Sequence, residues 1–155
     1  MAKKLSAGIV LYRKRDAGIE VFIVHPGGPF WAKKDDGAWS IPKGEYVDGE
    51  NPLAVAKREF AEETGSDVSG AFVELAPAKQ SSGKIIRAWA VEGDLDSESI
   101  QSNSFSLEWP PQSGRMQTFP EVDRALWCDL ILARQKLLPG QRALLDELEQ
   151  RVKEP

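Results

Sequence analysis

Residues 44–66 read GEYVDGENPLAVAKREFAEETGS, and the run Arg58-Glu59-Phe60-Ala61-Glu62-Glu63 inside this stretch decides how the rest of the chain is read. At roughly 100° per residue of a helix, Arg58, Glu62, Glu59 and Glu63 fall in that angular order on one side, while Leu53, Ala56 and Phe60 point largely elsewhere. Three carboxylates therefore share one face. Such crowding costs a few tenths of a kcal/mol per like-charge pair on an exposed helix, and more where water is scarce. Two readings follow. The face is either solvated and laced with salt bridges through Arg58, which the charges alone favour, or it holds a hard divalent cation such as Mg²⁺ or Mn²⁺.

The flanks of the run place it on a helix. Asn51 before Pro52 is a good helix start, since Asn caps free amides and Pro suits the first helical position. Gly65 is a good stop. Trp39 to Gly44 leads in as a short strand and turn.

Composition narrows the class. A chain of 155 residues with 41% hydrophobic and 28% charged residues is expected to form one globular domain over 1–155. A net charge of -4 offers no broad basic footprint for nucleic acid, so any polyanion must be met locally. The single Cys128 excludes an intramolecular disulfide, and the lone His25 excludes a histidine metal cluster. Both are read as structural. Residues 1–12 faintly resemble a signal peptide, but the apolar run is short, ends in Arg13-Lys14-Arg15-Asp16 and lacks a small-residue cleavage pattern. No stretch is long and apolar enough to span a bilayer, so the default expectation is a cytoplasmic location.

Residues 5–12 and 19–25 are β-branched apolar runs around a polar connection of hairpin length, and their continuous apolar character predicts central strands covered on both faces. The loop 26–38 carries Phe30 and Trp31, able to stack on a base, and Lys33 and Lys34, able to meet phosphate; a purely structural loop is an equal alternative. Residues 72–76 and 85–91 predict a second hairpin. A helical turn is expected at 97–101, and 105–109 can pair with 115–119. A last strand at 125–129 precedes helices at 130–137 and 141–152. In the second of these, Leu144, Leu145, Leu148 and Val152 recur at core-facing helical spacing.

The grammar of the opening stretch, Gly44, five residues, Glu50, seven residues, then REFAEETG, resembles the Nudix box of the Nudix hydrolases at every charged and glycine position. Ser66 departs from it, standing where the family usually has an aliphatic residue, with Val68 two places later. The resemblance implies an α/β fold of the Nudix type, an α/β/α sandwich around a mixed sheet. It also implies an enzyme that hydrolyses a diphosphate linkage of a nucleoside polyphosphate by water attack at phosphorus, with Mg²⁺ or Mn²⁺. By position, Glu59, Glu62 and Glu63 resemble the family's metal-binding carboxylates and the Gly44 carbonyl its backbone ligand. Arg58 resembles the residue that orients them, and Glu50 its partner at the helix start. Glu59 is the first choice of general base, and Glu121, ahead of Glu108 and Asp123, is the expected outside carboxylate, as a further metal ligand or as the base.

Substrate choice stays open at this level. Ile41-Pro42-Lys43-Gly44 resembles the Pro-Lys-Gly approach of diadenosine-polyphosphate and diphosphoinositol-polyphosphate hydrolases, and Lys43 is a candidate phosphate ligand, with Arg87 and Lys84 as further ones unless they form a solvated strand edge. Against this, Ser81, Ser82 and Gly83 stand where those enzymes often carry a tyrosine. The alternatives are a nucleoside-triphosphate pyrophosphohydrolase, including one for oxidised nucleotides, and a non-catalytic nucleotide sensor. Sensors usually lose box carboxylates, and here all three remain.

Overall fold

The computed structural model describes residues 4–153. The start of the segment weighed as a signal peptide, and the last two residues, lie outside the described residues. β1 (Leu5–Arg15) and β2 (Gly18–Pro26) form the expected hairpin. It is longer than the apolar runs because Arg13, Lys14 and Arg15 continue the ladder to a tight turn at Asp16 and Ala17.

The hairpin pairs only from Tyr12↔Val21 to Arg15↔Gly18. Below that point β1 takes a different neighbour, β3 (Lys43–Tyr46), in register from Leu5↔Tyr46 to Gly8↔Lys43. Ser40 bridges to Val24 of β2, and the Ile9 amide donates to the Pro42 carbonyl at 3.1 Å. Residues 40–46 are thus wedged into the split between β1 and β2. Gly8 makes the wedge possible, since a Cβ there would stand 2.8 Å from Ile41 Cδ1 and from the Pro42 carbonyl oxygen. From below, buried Gln141 fixes the same segment: its Oε1 accepts from the Ile41 amide and its Nε2 donates to Ser40 Oγ.

On its other side β1 runs parallel to β6 (Ile85–Glu92), against which β4 (Val73–Glu74) and β5 (Ala78–Lys79) pair antiparallel. The sequence predicts one strand at 72–76. Two short ladders replace it, with Pro77, which has no N–H to donate, between them. A two-stranded ribbon follows, β7 (Ser104–Glu108) with β8 (Met116–Pro120), which realises the pairing expected of 105–109 and 115–119. The helical turn expected at 97–101 is only a turn, with the Ser99 amide on the Asp96 carbonyl. β9 (Val122–Asp129) closes the mixed sheet antiparallel to β2, giving the order β4-β6-β1-β2-β9, with β3 on β1 and β5 on β6.

α1 (Pro52–Thr64) is capped as its sequence predicts: Asn51 accepts from the Ala54 amide, and Gly65 adopts φ 78°, with its N–H on the Ala61 carbonyl. Such an N-cap contributes about 1 kcal/mol. Val55, Ala56 and Phe60 of α1 pack on Ala7, Ile9, Leu11 and Phe22, one face of the sheet. α2 (Leu130–Lys136) and α3 (Arg142–Lys153) cover the other, with Leu144, Leu145 and Leu148 packed among Val10, Ile23 and Ile86. Coverage on both faces is why β1 and β2 read as unbroken apolar runs. Val68 joins the α1-side core, supplying near the helix exit the apolar contact that Ser66 cannot.

Candidate active site

The site forms where the wedge meets α1. Gly44 lies so close to the helix that a Cβ would stand 2.0 Å from Glu59 Cδ, and the Lys43 amide donates to Glu63 Oε1 at 3.4 Å. Glu121, between β8 and β9, arrives from the far side of the split. One carboxylate oxygen from each of Glu59, Glu63 and Glu121 lies within 4.8 Å of the others.

Glu62 takes a different place. It is half-buried beside Arg58, whose Nε is 3.9 Å from Glu62 Oε1 and whose Nη2 is 3.6 Å from Glu59 Oε1. Arg58 also reaches Glu50 Oε2 at 3.7 Å, while Glu50 Oε1 accepts from the Val47 amide. Arg58 therefore sits among three carboxylates. The close group of three contains Glu121 in place of Glu62, which the helical wheel puts on the same face as Glu59 and Glu63.

The electrostatics are those of a site short of positive charge. Burial raises the Glu63 carboxyl well above 4.5, against the pull of Lys43. Glu59 is raised by burial and then by repulsion from Glu62, with Arg58 opposing; Glu121 is raised by burial and then by Glu62. Burial in turn holds the Lys43 ammonium below 10.5, with Glu63 opposing. Three oxygen donors at this spacing, each pushed toward its neutral form, fit a hard divalent cation, which would return them to carboxylates. The donor set contains no nitrogen or sulfur that would favour a softer metal.

Beside these groups opens a cavity of ≈ 350 Å³, lined by Lys43, Glu63 and Glu121 and by the aromatic rings of Trp31 and Phe105. Phe105 is held there by the loop: a Cβ on Gly28 would stand 2.9 Å from Phe105 Cζ. Nothing in the local sequence around Phe105 announces this role, because its partner is far away in the chain.

Other candidates lie elsewhere. Arg87, expected to meet phosphate, instead donates to Glu74 Oε2 at 2.7 and 3.1 Å and is not among the cavity residues. Lys84 pairs with Glu45 at 3.0 Å. Phe30 is turned outward, 60% exposed, against Trp109. Lys34 places its ammonium 5.0 Å from the Trp31 ring centre. Glu108 accepts from the Gln112 amide, and Asp123 stands 2.8 Å from Nδ1 of fully buried His25. His25 Nε2 is 2.7 Å from the Lys34 carbonyl, so its ring ties the Trp31 loop to β9. Among the described residues no helix is long and apolar enough to cross a membrane.

Solved structures share this architecture. An Ap4A hydrolase of C. elegans in a binary complex superposes with a TM-score of 0.66 at 21% identity, covering 95% of this chain and 97% of that one. The NUDIX domain of Shewanella oneidensis NrtR, complexed with ADP ribose, gives 0.67 at 18% identity, covering 99% and 90%. A mutT/nudix family protein from Listeria innocua gives 0.64 at 14%, covering 99% and 96%. At these identities the likeness is one of fold. A family model for the NUDIX domain matches residues 2–148, and with nearly the whole chain so matched, the protein belongs to the Nudix family and is a pyrophosphohydrolase.

Proposed function

We propose that the enzyme, as a single Nudix domain, hydrolyses a diphosphate linkage in a nucleoside polyphosphate of the diadenosine-polyphosphate type. The observation that carries this reading is one cavity lined both by Lys43 with two of the three grouped carboxylates, Glu63 and Glu121, and by two aromatic residues, Trp31 and Phe105. Phosphates and a base are the two halves of such a substrate. Glu59, Glu63 and Glu121, with the Gly44 carbonyl, are the groups that would hold Mg²⁺ or Mn²⁺, and Glu62 adds negative charge at the edge. The bound cation would screen phosphate oxygens and acidify the attacking water.

The remaining roles belong to the chain. Glu59 takes a proton from water as the water oxygen bonds to phosphorus and the bridging P–O bond breaks, the electron pair leaving on the departing phosphate. A carboxylate set beside the other two and flanked by Arg58 suits that task. Arg58 holds Glu59 and Glu62 apart in fixed directions, and the Lys43 ammonium, poorly solvated, meets phosphate oxygen. Trp31 and Phe105 take the base by stacking.

The supply of a single aromatic pair favours a second reading, a nucleoside triphosphate as substrate, since the lining offers stacking for one base. Mg²⁺-dependent product release across dinucleoside polyphosphates, nucleoside triphosphates, nucleotide sugars and inositol pyrophosphates separates the two. The first reading expects diadenosine tetraphosphate to be turned over with the highest kcat/KM. A higher value for a triphosphate installs the second, and no turnover of any nucleotide sinks both.

A further inference from the structure

We propose that Ser102 and Asn103 form a strap that positions Glu121 against α1, with Ser102 as the positioning residue; this rests on reading Glu121 as a metal-binding carboxylate. Glu121 belongs to neither neighbouring ladder, because β8 ends at Pro120 and β9 begins at Val122. Its place must be set by something else.

The last carbonyls of a helix have no intrahelical partner. At the end of α1 two of them are taken by the strap: the Asn103 amide donates to the Glu62 carbonyl at 2.7 Å, and the Gln101 amide to the Thr64 carbonyl at 2.8 Å. Gly65 lets the strap come this close, since a Cβ there would stand 2.8 Å from the Gln101 carbonyl oxygen. The strap then turns its acceptors to the other side. The Asn103 carbonyl accepts from the Glu121 amide at 2.9 Å, and Ser102 Oγ accepts from the Val122 amide at 3.0 Å. Ser102 spends its own hydrogen on the Asn103 carbonyl at 2.8 Å, which leaves a lone pair for Val122.

Glu121 is gripped from behind as well, its carbonyl accepting from the Gly27 amide at 2.9 Å. Gly27 is buried and in close contact, a Cβ there standing 2.0 Å from the Pro120 carbonyl oxygen. The helix that carries Glu59 and Glu63 is therefore joined to the Glu121 main chain through residues 101–103. Partners that orient a metal ligand in this way are worth about 10- to 100-fold in metal affinity or activity.

The test is direct Mn²⁺ binding, followed by the electron paramagnetic resonance of free Mn²⁺, in wild type, Glu121→Gln, Ser102→Ala, Ser102→Thr and Gly27→Ala, with thermal melts of each. We expect Ser102→Ala to bind Mn²⁺ about 10-fold more weakly while melting cooperatively, Ser102→Thr to restore wild-type affinity, and Gly27→Ala to weaken binding from the opposite side. Ser102→Ala in the Glu121→Gln background should cause no further loss. If Glu121→Gln binds Mn²⁺ like wild type, the metal reading of Glu121 fails and the strap falls with it. If Glu121→Gln weakens binding but Ser102→Ala does not, or if Ser102→Thr does not recover it, the strap alone is overturned.

Discussion

Gly44 and Glu59 are in such close contact that any side chain at position 44 would occupy the space of the Glu59 carboxyl, a Cβ standing 2.0 Å from its Cδ. The glycine is required by the close approach of strand and helix. Gly44→Ala should displace Glu59 and lower kcat by about 100-fold, the penalty expected for an ångström of misplacement. Circular dichroism should still report a folded protein. Retention of wild-type kcat at saturating Mg²⁺ would show that Glu59 tolerates the displacement and is not the base.

The repulsion between Glu62 and Glu59 can be read in a pH profile. Glu62 is the second cause, after burial, of the raised Glu59 carboxyl. Glu62→Gln removes that repulsion, so Glu59 should ionise more readily and the acidic limb of kcat/KM should move to lower pH. Glu59→Gln should lower kcat itself, on the order of 100- to 10,000-fold for a lost general base. An acidic limb that stays in place in Glu62→Gln would assign that limb to another group.

Much of this could be read locally. Glu59 and Glu63 are one helical turn apart, Gly44 and Gly65 stand at fixed offsets from them, and Asn51-Pro52 announces the helix start, so chain spacing alone carries that half of the site. The other half is tertiary. Family resemblance ranks Glu121 ahead of Glu108 and Asp123, but the physical ground for that order is spatial: Asp123 is spent on His25 and Glu108 on the ribbon turn. Arg87 shows the same limit from the other side: a basic residue on a strand is equally well a phosphate ligand or the partner of Glu74, and strand register decides. Phe105 left no local mark, because its packing against Gly28 depends on how the ribbon folds back over the loop.

Without metal, the carboxylate group should make stability fall as pH rises. Glu59, Glu63 and Glu121 are all raised above 4.5 in the folded protein. Between that value and their folded values the native state holds more protons than the unfolded chain. Their contribution is then complete below 4.5 and lost as pH climbs through the folded values. Lys43, held below 10.5, acts with the opposite sign toward alkaline pH, so the effect is to be read from 4.5 up to neutrality. In the presence of chelator, Tm should decline across that range, and Mg²⁺ should raise it more at the upper end, where the carboxylates are free to bind. A chelated protein whose Tm rises toward neutrality would contradict the raised carboxyls.

Trp31 and Phe105 should govern affinity without governing chemistry. Both line the cavity, and neither belongs to the carboxylate group. Stacking on a base is worth about 1–3 kcal/mol by alanine substitution, so Trp31→Ala and Phe105→Ala should each raise KM for the preferred nucleotide roughly five- to a hundredfold. If the rings bind ground and transition states alike, kcat should change little. Inorganic polyphosphate, which has no base, supplies the control: any cleavage of it should be unaffected by either substitution. A fall in kcat with KM unchanged would mean that the rings shape the carboxylate group instead, and the base would then have to be sought outside this cavity.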